Sequence, residues 1–368
     1  MQAVAEEVYL DGLVRRQIQD NVMDHMKALL AEYRAEVADF LNCKPNEVAV
    51  CESTTGGLNI VLWGYDFKPG DEIISSNLEN SAMYAALNTV IHRCGVVVRY
   101  ADLGQYGEKD SVQAVKELIT DRTKMVMMSH TLYFTGAATD VKGISALCAE
   151  RGIISAFDGV QTVATSRIDL QDLGCDCYSG ASHKFLCGPD GAGFTYISER
   201  VQHLIEPTVS GAFTDAGHGV RGYCPKDTAE KYDVSTRPYY VQAGSLSAIR
   251  YFRTQVGEDF AYARIHALRE RLRCGLSEIE GVKVLSIREN SENAALVLFR
   301  IENCDPRKLG LWLISKKINC RPAEHFYPPE YMRSEIGVRL AVNYWNTEED
   351  IDKVIQIIRS AAAQGLPS

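Results

Sequence analysis

The chain has 368 residues, enough for one large and one smaller domain, because single hydrophobic cores rarely grow beyond about 250–300 residues. Its formal net charge of -9, from 39 basic and 48 acidic residues without long runs of either sign, offers no track for nucleic acid or an anionic membrane surface; no apolar run reaches the roughly 18–20 residues of a bilayer span. Eleven scattered cysteines include no CxxC pair, and no charged-then-apolar leader opens the sequence, so reduced thiols, no metal and a cytoplasmic location are expected.

In chain order, helical periodicity begins over 25–41. Short β-branched runs then predict strands over 47–51, 72–75, 96–100, 124–128 and 153–157, with helices between them over 56–64, 81–92, 111–120 and 141–151. Such alternation predicts an α/β fold with a mostly parallel sheet flanked by helices, since a parallel return needs a crossover of a dozen or more residues. From 210 to 240 the text turns polar and rich in Gly and Pro, which predicts a long surface excursion. A long helix over about 258–280, strands over 282–286, 294–301 and around Cys320, and helices over 306–316 and 348–362 predict a smaller α+β unit at the C-terminal end. The expected division is 1–45 as a helical segment joining the small domain, 46–252 as the large domain and 253–368 as the small one.

Three local patterns carry chemistry. Lys184 follows a strand end and precedes a glycine-rich turn in Ser179-Gly-Ala-Ser-His-Lys184; burial there would depress its pKa and leave the neutral amine that condenses with an aldehyde, whereas a solvated loop lysine would do neither. Asp158 closes an apolar strand in Ala156-Phe-Asp-Gly-Val-Gln161, where active-site groups of open α/β sheets gather. Its carboxylate would keep a cofactor ring nitrogen protonated and Gln161 would reach a phenolic oxygen; a turn-capping aspartate is the plainer alternative. Thr54, Thr55 and Gly56 join a strand to a helix, a geometry that binds phosphate through exposed N–H groups and equally serves as an ordinary cap.

The order of these pieces, with Lys184 lying 26 residues after Asp158 (184 − 158), together with Arg34-Ala-Glu-Val-Ala-Asp-Phe-Leu41, Ser129-His-Thr-Leu-Tyr-Phe-Thr-Gly136, Gln242-Ala-Gly-Ser245 and Val338-Arg-Leu-Ala-Val-Asn343, resembles the class V aminotransferase group of fold-type I pyridoxal-phosphate enzymes. The resemblance runs over nearly the whole chain. It implies pyridoxal 5'-phosphate as cofactor, a Schiff base on Lys184, and phosphate contacts from His183 and from Ser179 or Ser182. It also implies a homodimer in which Gly244 and Ser245 reach the other subunit's cofactor, and a carboxylate clamp at Arg339, a task that suits a planar guanidinium.

Departures from the family's pattern bear on the reaction. The position where persulfide-forming desulfurases carry a nucleophilic cysteine reads Phe326, and Cys320 reads as a small buried strand residue. Asn80 stands where relatives stack an aromatic ring over the cofactor; Tyr133 stands where desulfurases have an asparagine, either as a hydrogen-bond donor and proton shuttle or as a packing aromatic. Met1 lies close to the first helix, so the extended segment that crosses the pocket in relatives reads as short, and His325, Tyr327 and the 210–240 excursion are expected at the entrance. The expected activity is β-elimination from a cysteine-derived amino acid, with aminotransferase, epimerase and desulfurase chemistry as alternatives and a cofactor-free scaffold as the reading outside enzymes.

Overall fold

The computed structural model describes residues 2–17, 22–211, 213–217, 222–234, 237–286, 295–322 and 337–366. Two helices open the chain, α1 (Gln2–Gln17) and α2 (Val22–Leu41). The large domain follows as β1 (Val48–Cys51), α3 (Thr54–Gly64), β2 (Glu72–Ser76), α4 (Ser81–Cys94), β3 (Val97–Ala101), α5 (Ser111–Lys116), β4 (Thr123–Ser129), α6 (Val141–Ala149), β5 (Ile154–Asp158), α7 (Leu170–Leu173), β6 (Cys177–Ala181) and β7 (Gly193–Ile197). After the irregular excursion come α8 (Tyr240–Tyr251), α9 (Glu258–Ser277), β8 (Val282–Val284), β9 (Leu296–Ile301), α10 (Pro306–Ser315), β10 (Arg321–Pro322), β11 (Val338–Ala341) and α11 (Glu348–Gln364).

The first sheet has seven strands in the order β1-β7-β6-β5-β4-β2-β3. The pairings of β2 through β6 are parallel, while β7 runs antiparallel to both β6 and β1. All residues of β1, β2, β5, β6 and β7 are buried, as a sheet covered on both faces requires, and that is why these strands read as apolar runs rather than alternations. Strand β3 at the edge is the exposed exception, with Val97 45% open to solvent. Side-chain caps begin the crossover helices: Asn80, Asp110 and Asp140 accept backbone N–H bonds at the starts of α4, α5 and α6.

The smaller sheet is antiparallel, ordered β10-β11-β9-β8, and packs with α9 and α11 into the α+β domain. Its register sets Arg339 of β11 opposite Leu298 of β9 and Arg321 of β10. Between 205 and 239 the described residues hold one short 3-10 turn, Ala229–Tyr232, and an isolated bridge from Asp215 to Pro225. The excursion is tied down by a buried ion pair between Arg34 and Asp233; Arg34 Nε also donates to the Val48 carbonyl, and Asp233 accepts from the Val50 N–H. A charged pair thereby joins α2 and the loop to β1.

Two elements carry weak sequence signals. Helix α1 packs on α8 through small residues, Ala5 and Gly12, and through Tyr9 edge-on to Tyr240 at 4.9 Å; a Cβ at Gly12 would overlap the Tyr239 hydroxyl. Helix α8 occupies the segment just after the glycine-rich text. Among the described residues no helix is long and apolar enough to cross a membrane.

Candidate active site

The carboxyl ends of β2, β4, β5 and β6 converge on one place, because parallel strands lay their C-terminal ends on a common edge. Strand β5 ends at Asp158, which is 5% exposed. Its Oδ1 accepts the Val160 N–H at 2.9 Å and its Oδ2 accepts Asn80 Nδ2 at 3.2 Å, while the Asn80 Oδ1 caps α4. Burial pushes the Asp158 carboxyl up from its ordinary value, and the nearby Lys184 ammonium pulls it back down. Asn80 therefore touches the acid directly.

Lys184 lies three residues beyond β6, in a turn closed by the Cys187 N–H on its carbonyl at 3.0 Å. Burial lowers the Lys184 amine to about 8, against the pull of Asp158 and with a further push from Arg339. Tyr133 links the two cations: its ring centroid is 5.8 Å from Lys184 Nζ and 4.3 Å from Arg339 Cζ, and its carbonyl accepts Arg339 Nη1 at 2.7 Å. Arg339 Nε is buried with no partner among the described residues. Tyr133, Gln161, Lys184 and Arg339 line one cavity of ≈ 640 Å³ at the junction of the two domains.

Beside it, Ser53 caps α3 by accepting the Gly56 N–H, Thr55 is exposed, and Thr54 Oγ1 is buried without a partner among the described residues. Gly57 permits the close approach of α3 to the sheet, since a Cβ there would overlap Thr195 Oγ1 and meet Ser179 Oγ at 2.8 Å. His183 Nδ1 is likewise buried with no partner among the described residues, and burial, then Lys184, lowers its pKa. Of the two candidate serines, Ser179 Oγ bonds Thr195 Oγ1 at 2.9 Å and Ser182 Oγ donates to the Ala192 carbonyl at 3.3 Å, so both hydroxyls already have internal partners.

Gly244 and Ser245 lie inside α8, buried within this chain, where Ser245 Oγ donates to Tyr33 Oη at 3.3 Å. His325, Tyr327 and Phe326 lie outside the described residues. Glu79 escapes the sequence reading altogether: it lies three residues beyond β2 with no pattern to mark it, yet it is 1% exposed and hydrogen-bonded within the strand-end cluster.

A family model described as Aminotransferase class-V matches residues 1–354. The chain belongs to the class-V aminotransferase family. Its relatives include a probable cysteine desulfurase of Methanothermobacter thermautotrophicus, 26% identical over 342 residues that cover 91% of this chain and 84% of that protein. A cysteine desulfurase of Haloferax volcanii is 26% identical over 334 residues, 88% of this chain and 77% of that protein. Among solved structures, the cystine C–S lyase C-DES in complex with cysteine persulfide superposes with a TM-score of 0.86 at 24% identity, covering 97% of this chain and 93% of that one. The cysteine desulfurase of Thermococcus onnurineus also gives 0.86, at 21% identity with 98% and 92% coverage. At these identities the superpositions establish a shared fold, the fold-type I arrangement that the class-V family implies.

Proposed function

We propose that this class-V chain is a pyridoxal-phosphate enzyme that cleaves the C–S bond of a cysteine-derived amino acid by β-elimination. One observation carries the reading: a lysine amine depressed to about 8 lies in one cavity with a guanidinium whose Nε has no partner among the described residues, and a buried carboxyl acts on that lysine from the end of β5. Two polar atoms unpaired among the described residues and three further side chains fit the cofactor's groups. Thr54 Oγ1 and His183 Nδ1 suit its phosphate, Asp158 its ring nitrogen, Gln161 its phenolic oxygen, and Lys184 its aldehyde carbon.

When bound, that group supplies an electron sink for the pair released at the substrate's Cα. The chain's own residues do the rest. Arg339, held by the Tyr133 carbonyl, offers its free Nε edge to the substrate carboxylate and thereby fixes which Cα bond stands over the site. Lys184, with its proton affinity lowered by burial, would take the Cα proton as general base, while the C–S bond breaks with its electron pair leaving on sulfur. Tyr133, between the two cations, keeps Lys184 and Arg339 apart and shields both from water.

The relatives called cysteine desulfurases support a cysteine-related substrate. Persulfide relay through Cys320 is disfavoured: burial pushes its thiol up to about 11, and its Sγ bonds the Gly310 carbonyl at 3.4 Å. The test is product analysis with L-cysteine and L-cystine. Pyruvate and ammonia in equal amounts support β-elimination; alanine in place of pyruvate selects the desulfurase reaction and refutes the lyase reading.

A further inference from the structure

A second buried carboxyl lies behind Asp158, and nothing in the proposed mechanism uses it. Glu79 Oε1 accepts the Ser76 hydroxyl at 2.6 Å and the Ser129 N–H at 3.0 Å, and its Oε2 bonds the Ser129 hydroxyl. Its own N–H donates to the Tyr84 hydroxyl at 3.1 Å, which in turn donates to the Ser76 carbonyl. Ser129 is the registered partner of Asp158 across β4 and β5, so one hydrogen-bonded residue separates the two acids. The elements packed here contribute Tyr84 from α4, Ser76 from β2, Ser129 and the adjoining His130 from β4, and Asp158 from β5. His130 is neutral, lowered to about 4 by burial, with its Nδ1 on the Tyr178 hydroxyl at 2.8 Å. The neighbouring charge that acts on Glu79 is that of Asp158.

Such an arrangement has a cost that structure alone does not justify. A well-packed apolar residue would tie the strand ends together without burying a second acid next to the first. An extra negative charge at this depth does gain something if a cation is brought to Asp158.

We propose that Glu79 is a positioning residue for the cofactor's ring nitrogen, acting through Asp158 as a second counter-charge that holds the nitrogen protonated. The proposal rests on the pyridoxal-phosphate reading above. When the protonated ring nitrogen meets Asp158, the buried cluster contains one cation and two carboxyls; Glu79 then gives its proton to solvent and its charge adds to that of Asp158. Burial, together with Asp158, sets the Glu79 carboxyl at about 7 before the cation arrives, although Ser129 and Ser76 stabilise the anion, so the charge switches within the working range of pH. Glutamine has the shape of the protonated acid, accepts from Ser76, and donates to the Ser129 hydroxyl.

The experiment is to measure the dissociation constant of pyridoxal phosphate, by fluorescence titration of the apo chain, for wild type and Glu79→Gln at pH 6 and pH 8. The variant binds about tenfold more weakly than wild type at pH 8, the equivalent of one pKa unit of coupling, and within about twofold of it at pH 6, where Glu79 of the apo chain is mostly protonated. Its apo form melts no lower than wild type. An equal loss at both pH values, or no loss at pH 8, overturns the proposal and leaves Glu79 a packing residue. Where Glu79→Gln does not fold, Ser76→Ala removes one donor to the carboxylate and moves the pH dependence of binding upward; an unmoved profile overturns the proposal as well. If wild type binds no pyridoxal phosphate at either pH, the failure belongs to the functional reading itself.

Discussion

Replacing Lys184 by methionine removes the proposed attachment point of the cofactor, and the same change stabilises the apo protein at neutral pH. The Lys184 amine falls from an ordinary 10.5 to about 8 on folding, so the folded chain binds this proton less tightly than the unfolded one. The depressed folded value means that stability is fully present above about 10.5 and is lost as pH falls through about 8. The shift of 2.5 units (10.5 − 8), at about 1.36 kcal/mol each, corresponds to roughly 3 kcal/mol at pH 7. Partial solvent access and the loss of the ammonium that helps ionise Asp158 reduce the expected gain to about 2 kcal/mol. Urea unfolding of apo wild type and Lys184→Met, followed by intrinsic fluorescence, measures it. The advantage of the variant is about 2 kcal/mol at pH 7 and falls below about 1 kcal/mol at pH 10. A variant less stable than wild type at pH 7, or a difference independent of pH, would refute the claim that Lys184 is held in a desolvated, cation-disfavouring site.

The remaining predictions concern turnover. Arg339→Lys keeps a charge but loses the planar fork and its stacking on Tyr133, so KM for the amino-acid substrate rises about tenfold or more while kcat changes less. Asp158→Asn still accepts the cofactor but lowers kcat on the order of 10²-fold, because the ring nitrogen loses its counter-charge; an unchanged kcat would remove Asp158 from the site. Cys320→Ser leaves sulfide and pyruvate yields within about twofold of wild type, as expected for a half-buried thiol outside the reaction; abolished sulfide release would restore the relay reading.

Much of the fold is legible because its strands are buried on both faces and alternate with helical periodicity. The runs at 72–75 and 153–157 each fall within one residue of β2 and β5. What stayed hidden has physical causes. Helix α1 buries small residues that leave little periodic trace, and α8 begins where irregular, glycine-rich text ends. At the site, Asp158 and Lys184 are legible because charge at the end of an apolar strand is rare. Glu79 is not, since a carboxyl among Ser, Asn and Leu reads as a surface loop until Ser129, fifty residues away, closes over it.

The central claim is that Lys184 carries pyridoxal phosphate. Apo protein incubated with the cofactor, reduced with borohydride and digested, is mapped by mass spectrometry. The account predicts the reduced adduct on the peptide that contains Lys184, in near-stoichiometric yield, and its loss in Lys184→Met. An adduct spread over surface lysines, or none at all, would contradict it.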